Sequence, residues 1–147
     1  MRSKYYKIPF VIENLFSKTE HKPKLYTSLK KSIHQHLKLL FMTSFGDLRF
    51  DHQYGSIISE LDFSNEEQSG LFEKKIEASL HQSILEYEPR LKNTQLRVYF
   101  NRNGELIRSQ DSTTFKIYIN IEVEAQIKVL EEDYNDTFKL FFSPLNS

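Results

Sequence analysis

The amino-acid sequence predicts an α+β domain in which two main helices pack on a small antiparallel sheet of three or four strands. Two segments before Pro89 carry apolar residues at the three- and four-residue spacing of a helix with one buried face. After Pro89 the pattern changes to alternating apolar and polar residues, which is typical of strands buried on one side. Helices that precede a run of strands indicate an α+β arrangement rather than alternating α/β units.

Length and composition predict a single domain, residues 1–147, with an aromatic core. The chain is 39% hydrophobic and contains 12 Phe and 8 Tyr. Twenty basic residues balance 20 acidic ones, so nucleic acid and anionic membranes are not expected partners. Cysteine is absent, which excludes disulfides and thiolate metal sites and fits the cytoplasm. No signal peptide is apparent, and no uncharged apolar run approaches the roughly 20 residues of a membrane helix. We therefore expect a cytoplasmic protein without membrane insertion.

Residues 1–26 are expected to form an extended N-terminal arm. Aromatic and β-branched residues are frequent between Tyr5 and Phe16, and Pro9 disfavours a helix interior there. An arm of this kind needs a surface on which to lie.

The first helix is predicted over Thr27 to Phe45. Thr27 or Ser28 can cap its start by accepting a backbone N–H, and Gly46 can close its end in the left-handed conformation. Its buried stripe consists of Leu29, Ile33, Leu37 and Leu40. The following segment, Gly46 to Gly55, is rich in turn formers and polar groups and is predicted to be an ordered loop.

A second helix is predicted to begin at Ser64, which can form a capping box with Glu67. Its buried face consists of Phe72, Ile76, Leu80, Ile84 and Tyr87. Pro89 ends it, because proline lacks a backbone N–H and disfavours helical geometry at the preceding residue. Glu88 then lies at the negative end of the helix dipole, so we expect a cation to offset it, supplied by Arg90 or by a partner protein. A charged corner held by proline suits docking, since it loses little conformational entropy on binding.

Three strands are predicted from the alternation. Their inward positions are Leu96, Val98 and Phe100, then Phe115, Ile117, Ile119, Ile121 and Val123, then Phe138, Leu140 and Phe142. The last strand is predicted over Thr137 to Phe142, after a turn that contains Glu131 to Asp133. Asn103-Gly104 favours a hairpin, but the polar stretch Arg108 to Thr113 leaves open whether Leu106 and Ile107 form a fourth strand.

Catalytic and metal-binding patterns are weak. His34 and His36 are two residues apart on a helix, so they point in different directions and are interpreted as surface histidines rather than metal ligands. Tyr99 and Tyr118 fall on the predicted outer face of the sheet, as ordinary surface residues or as part of a protein contact. An acidic cluster consists of Asp47, Asp51, Glu60 and Asp62. It could supply the carboxylate pair of a glycosidase, although solvation and capping are the more usual roles of such residues. No catalytic residue, metal or cofactor is expected.

Several motifs occur in an order that resembles the pattern of one protein family. The motifs are Ser28-Leu29 leading into Ile33, Leu37 and Leu40, then Phe45-Gly46-Asp47-Leu48-Arg49-Phe50-Asp51, Tyr54-Gly55 and Glu88-Pro89-Arg90. From about Tyr5 to Phe142 the chain resembles the lysozyme-like baseplate wedge family of contractile tails. This family includes a wedge protein of contractile-tailed phages and TssE of type VI secretion systems, and "lysozyme-like" is a historical label. The stretch Arg102 to Thr113 is longer than the usual family pattern.

This resemblance implies a non-enzymatic structural component of a contractile injection apparatus, of the type VI secretion kind. Such a subunit joins the baseplate wedge to the contractile sheath and provides the platform for sheath polymerisation, with six copies per baseplate. By the same resemblance, Glu88, Pro89 and Arg90 would contact wedge proteins similar to TssF and TssG. The sheath contact of the family uses exposed strand edges, so a later strand would accept a sheath strand. The sequence leaves open which strand that is.

Two other functions remain as alternatives. The carboxylates between Asp47 and Asp62, together with the family label, raise the possibility of a muralytic enzyme. Small members of the broader family also serve as anti-adaptors that block delivery of a regulatory protein to a protease. The pattern fits a type VI apparatus and a phage tail equally, because both use the same sheath platform.

Overall fold

A computed structural model of the protein describes residues 5–6, 26–60, 69–101, 106–109, 112–115 and 117–142. The elements along the chain are β1 (Tyr5–Tyr6), β2 (Tyr26–Thr27), α1 (Leu29–Met42), a 3-10 turn (Ile58–Glu60), α2 (Ser69–Tyr87), β3 (Leu91–Asn101), β4 (Leu106–Ser109), β5 (Ser112–Phe115), β6 (Ile117–Ile127) and β7 (Glu132–Phe142). The main sheet has the order β3-β6-β7 and is antiparallel throughout. The two helices pack on it, which confirms the predicted α+β class.

The main sheet has three strands in the described part of the chain. β4 pairs with β5 as a separate hairpin, in which Leu106 and Ile107 lie opposite Phe115 and Thr114. These residues therefore form a strand, but not a fourth strand of the main sheet. β1 pairs with β2 in the same two-stranded manner. The rest of the predicted arm and the Asn103-Gly104 dipeptide lie outside the described residues.

The first helix begins two residues after the predicted Thr27, which lies in β2, and it ends earlier than predicted. Ser28 is its N-cap, and its hydroxyl accepts a backbone N–H of the first turn at 3.4 Å. Thr43 adopts extended geometry, and its N–H and its hydroxyl both donate to the Leu39 carbonyl, at 3.0 and 2.7 Å. The predicted closure at Phe45 by Gly46 is therefore wrong, because the Thr43 side chain competes for the last helical carbonyl. Gly46 has φ +85 and serves the following turn instead.

The core lies between the two helices and the inner face of the sheet. Buried side chains come from α1, α2 and the sheet: Ile33, Leu37, Leu40, Phe41, Ile76, Leu80, Ile84, Val98, Ile119, Ile121, Val123, Ile127, Phe138 and Leu140. Each fully buried Leu, Ile or Phe contributes about 1.5–3 kcal/mol relative to an exposed one. α2 is described from Ser69, and the predicted capping box of Ser64 and Glu67 lies outside the described residues. No described helix is long and apolar enough to cross a lipid bilayer.

The last strand is longer than predicted. β7 begins at Glu132 rather than Thr137, so part of the expected turn is strand. The first part of β7, before Thr137, was not predicted because Asp136 occupies an inward position and interrupts the apolar alternation. Its carboxylate is satisfied there, since the Tyr134 hydroxyl donates to it at 2.6 Å and Nδ1 of His34 lies 2.6 Å away.

Candidate functional site

The corner after α2 is built around a buried carboxylate. α2 ends at Tyr87, as Pro89 predicts, and Glu88 is only 1% exposed. Its Oε1 accepts from Nε of Arg90 at 2.6 Å, and its Oε2 accepts from Nη2 of Arg90 at 2.5 Å. Nδ1 of His36 lies 2.8 Å from the same Oε2. The offsetting cation is therefore Arg90, one of the two sources expected from the sequence, and His36 adds a second contact.

Arg90 also connects this corner to the first helix. Its Nη1 donates to the Ser32 hydroxyl at 2.9 Å, and its side chain is 27% exposed. The network thus joins α1, the end of α2 and the start of β3. His36 belongs to it, so its interpretation as a surface histidine is wrong. His34 points elsewhere, towards Asp136, as expected for residues two apart on a helix.

The electrostatics of the corner keep the Glu88 carboxylate ionised. Burial raises its pKa, but the hydrogen bonds from Arg90 and His36, with the charge of Arg90, outweigh burial and lower the pKa below 4.5. A carboxylate held in this way is not available to pair with another protein. In the predicted partner-binding motif Glu88 therefore faces inward, while Pro89 is exposed and Arg90 is partly exposed.

An apolar turn lies beside the corner. The Lys128 N–H donates to the Arg90 carbonyl at 2.9 Å, which places the β6–β7 turn next to Pro89. In that turn Val129 is 77% exposed and Leu130 is half-exposed. The outward surface at this end of the molecule is therefore more apolar than the charged motif suggests.

One edge of the sheet is covered by the second helix. On α2, Glu77 Oε1 accepts the Val98 N–H at 2.8 Å, and Glu73 Oε1 accepts the Phe100 N–H at 3.4 Å. Nε2 of His81 donates to the Thr94 carbonyl at 3.1 Å. Side chains of α2 thus occupy backbone groups on the outer side of β3, which is a known means of blocking an edge strand. These three residues were not predicted from the sequence as a set, although their four-residue spacing on a predicted helix is a visible signal.

The other edge, β7, carries no neighbouring strand among the described residues. The orientation of its backbone follows from the register. Because the Val98 N–H points to α2, the adjacent Arg97 must bond towards β6, where it pairs with Glu122. Glu122 pairs on its other side with Thr137, which must then face away from β6. Outward backbone groups therefore belong to Asn135, Thr137 and Lys139.

Several side-chain contacts and a groove lie around this open edge. The Thr137 N–H already donates to Asp136 Oδ1 at 2.9 Å, whereas Lys139 lies over the Tyr118 ring with its Nζ 4.1 Å from the centroid. A groove of about 410 Å³ separates the start of β7 from α1, lined by Lys30, Lys31, His34, Asp133, Tyr134, Asn135 and Asp136. Its flanks are joined by the Lys30–Glu132 ion pair at 3.1 Å.

The acidic cluster is used for loop structure where it is described. The Asp47 carboxylate accepts the Ser44 N–H at 2.9 Å. The Asp51 carboxylate accepts the Gln53 N–H and the Tyr87 hydroxyl, both at 3.0 Å. Asp62 lies outside the described residues. Asp47 and Asp51 therefore each have a structural role, within the loop and against the end of α2.

Two solved structures are similar to this chain. A structure from Geobacter sulfurreducens, named as a tail lysozyme, is 16% identical and has a TM-score of 0.55, covering 82% of this chain and 96% of that one. A chain from the baseplate complex of the type VI secretion system is 16% identical with a TM-score of 0.49, covering 76% and 90%. At this identity the Geobacter likeness concerns the fold alone. No curated protein sequence matches the chain.

The family itself is shown by a sequence match. The model of the family described as "Baseplate wedge protein gp25" matches residues 27–128, which is more than half of the chain and includes both helices and the corner. This confirms the resemblance drawn from the order of the motifs. The chain therefore belongs to the baseplate wedge protein gp25 family, and its role is that of a structural baseplate component.

Proposed function

We propose that this protein is a TssE-like subunit that joins the wedge to the contractile sheath and starts sheath polymerisation by accepting a sheath strand on β7. The observation that carries this proposal is the asymmetry of the sheet. β3 is closed by side chains of α2, while β7 presents outward backbone groups at Asn135 and Lys139. An added strand would form main-chain hydrogen bonds there, which is the usual basis of β-augmentation.

The corner provides the second contact of this proposal, with wedge proteins similar to TssF and TssG. Pro89 and the outer part of Arg90 would meet the partner, next to the exposed Val129 and Leu130. Glu88 would act from inside, by fixing Arg90 in place. From the family resemblance, we expect six copies of the subunit per baseplate, on the cytoplasmic side of the apparatus.

A non-enzymatic role fits the loop chemistry better than a muralytic one. Asp47 and Asp51 each hold backbone or hydroxyl donors at the base of a turn, which is the usual structural role of aspartate in a loop. Neither the muralytic nor the anti-adaptor alternative gains a specific observation from the described structure.

The test is removal of one outward N–H from β7. Lys139→Pro deletes an amide donor that points away from β6, so the fold should be retained, since proline is tolerated on the solvent side of an edge strand. Lys139→Thr removes the same side chain and keeps the amide, and is the matched control. We expect purified sheath subunits to polymerise on baseplates that contain the Thr variant and not on those that contain the Pro variant. Equal polymerisation on both would contradict strand addition at β7.

A further inference from the structure

A second feature of the surface is a compact loop that projects after α1, Gly46–His52, called here the tip loop. The N–H of Gly46 donates to the carbonyl of His52 at 2.9 Å and closes its ends. On the near side, the Asp47 carboxylate accepts the Ser44 N–H at 2.9 Å. Both contacts fix the base of the loop and leave its middle residues outside.

The far side of the tip loop is fastened to α2. Asp51 accepts the Gln53 N–H and the Tyr87 hydroxyl, and the Tyr54 ring meets the Tyr87 ring edge to face at 5.0 Å. Gly55 then passes close to the end of α1, and its carbonyl accepts the Ser83 hydroxyl at 2.9 Å. The loop is thus held at both ends by the folded core.

The middle of the tip loop has side chains that the monomer does not use. Phe50 is fully exposed, Leu48 is partly exposed, and Arg49 is exposed between them. Among the described residues, no carboxylate lies within ion-pair distance of Arg49. A single exposed Leu is ordinary on a protein surface. A fully exposed Phe on a loop with several fixed contacts is different, because its ring stays in water without any folding benefit.

We propose that the tip of this loop docks in an apolar pocket of another wedge protein, with Phe50 as the anchor and carboxylates of the partner around Arg49. This inference rests on the proposed function, whose wedge contact it extends to a second surface. Phe and Arg are enriched at protein interfaces, and a rigid loop loses little entropy when it binds. The partner should carry negative charge at this contact. Asp47 and Asp51 bind donors at the base of the loop, so the positive Arg49 is the charge that the tip presents.

The test measures the affinity of the full chain for the purified wedge proteins encoded by neighbouring genes. Phe50→Ala should weaken the affinity at least tenfold, which is the range of an anchor residue. Leu71→Ala is the matched control, since Leu71 is 71% exposed on the first part of α2, and its loss should change the affinity less than twofold. Arg49→Glu should weaken binding further than Arg49→Gln, because it places like charges together. Unfolding midpoints of all variants should equal that of the wild type.

A cross-link identifies the occupant directly. A photoreactive phenylalanine at position 50 should join the chain to an apolar pocket of a wedge protein whose rim carries Asp or Glu. Cross-links to a second copy of this chain, or an unchanged affinity of Phe50→Ala, would overturn the inference. If Lys139→Pro blocks sheath growth while Phe50→Ala binds normally, the inference fails and the sheath role stands. If the wild type binds none of the wedge proteins, the inference and the proposed wedge contact fail together.

Discussion

Replacement of Arg90 by Met is expected to destabilise the fold, because it leaves a buried carboxylate without its cation. Glu88 is 1% exposed and receives two side-chain hydrogen bonds from Arg90. Breaking a buried pair from one side usually costs 3–5 kcal/mol, and the remaining contact with His36 places the expected loss at about 3 kcal/mol. Glu88→Gln should cost less, about 2 kcal/mol, since the partly exposed Arg90 can turn to water.

The double variant measures the interaction energy between Glu88 and Arg90 apart from their other contacts. With Arg90→Met and Glu88→Gln together, no buried charge is left unpaired, so the loss in free energy of unfolding should be smaller than the sum of the single losses by about 2 kcal/mol. Urea unfolding followed by circular dichroism measures all three values. Additive losses, or a loss below about 1 kcal/mol for Arg90→Met, would refute the network as described.

The same variants should differ in pH dependence. The folded pKa of Glu88 lies below its unfolded value of 4.5, so its contribution is present above pH 4.5 and is lost as the pH falls through the folded pKa. Without Arg90, the effect of burial on Glu88 is no longer offset by the neighbouring guanidinium, so the pKa of Glu88 in the folded state should rise. The difference in stability between the wild type and Arg90→Met should therefore shrink as the pH is lowered from 7 to 4. A constant difference over that range would contradict the assignment.

Two further substitutions test the packing of the loop and of the closed edge. Gly55→Ala should lower the free energy of unfolding by at least about 2 kcal/mol, because φ is +129 and a Cβ would lie 2.5 Å from the Thr43 carbonyl oxygen. Gly46→Ala is its control, with φ +85 but open space around the Cβ, and should cost about 1 kcal/mol in the same urea experiment. Glu77→Ala should expose the Val98 N–H, lower stability by about 1 kcal/mol and increase self-association in light scattering, whereas a monodisperse variant of unchanged stability would contradict the blocked edge.

The features that could be predicted from the sequence depend on local periodicity or on single residues, such as proline, that end a helix. The helical stripe of α1 and the alternation in β6 each bury one face of a regular element, and this constraint is visible in a short window of residues. Pro89 ends α2 through its own covalent structure, so its effect needs no knowledge of the fold. The offset of Glu88 by Arg90 could be predicted because the two residues are neighbours in the chain.

Features that depend on contacts distant in the chain could not be predicted in this way. His36 reaches Glu88 only after α1 packs beside the end of α2, and the inward Asp136 is contacted by the distant His34 as well as by the nearby Tyr134. The covering of β3 by α2 is likewise a tertiary arrangement, which a single sequence shows as charged residues on a helix. Because of these contacts, the open edge of the sheet is a better candidate for partner binding than the charges of the corner.

We propose that β7 is the edge that accepts a strand in the assembled baseplate. Hydrogen–deuterium exchange with residue resolution, on the full chain with and without purified sheath subunits, tests it most directly. We expect the outward amides of Asn135 and Lys139 to become protected when the sheath is added, while the Val98 amide, already bonded to Glu77, stays unchanged. New protection at β3 with none at Asn135 and Lys139 would contradict the claim.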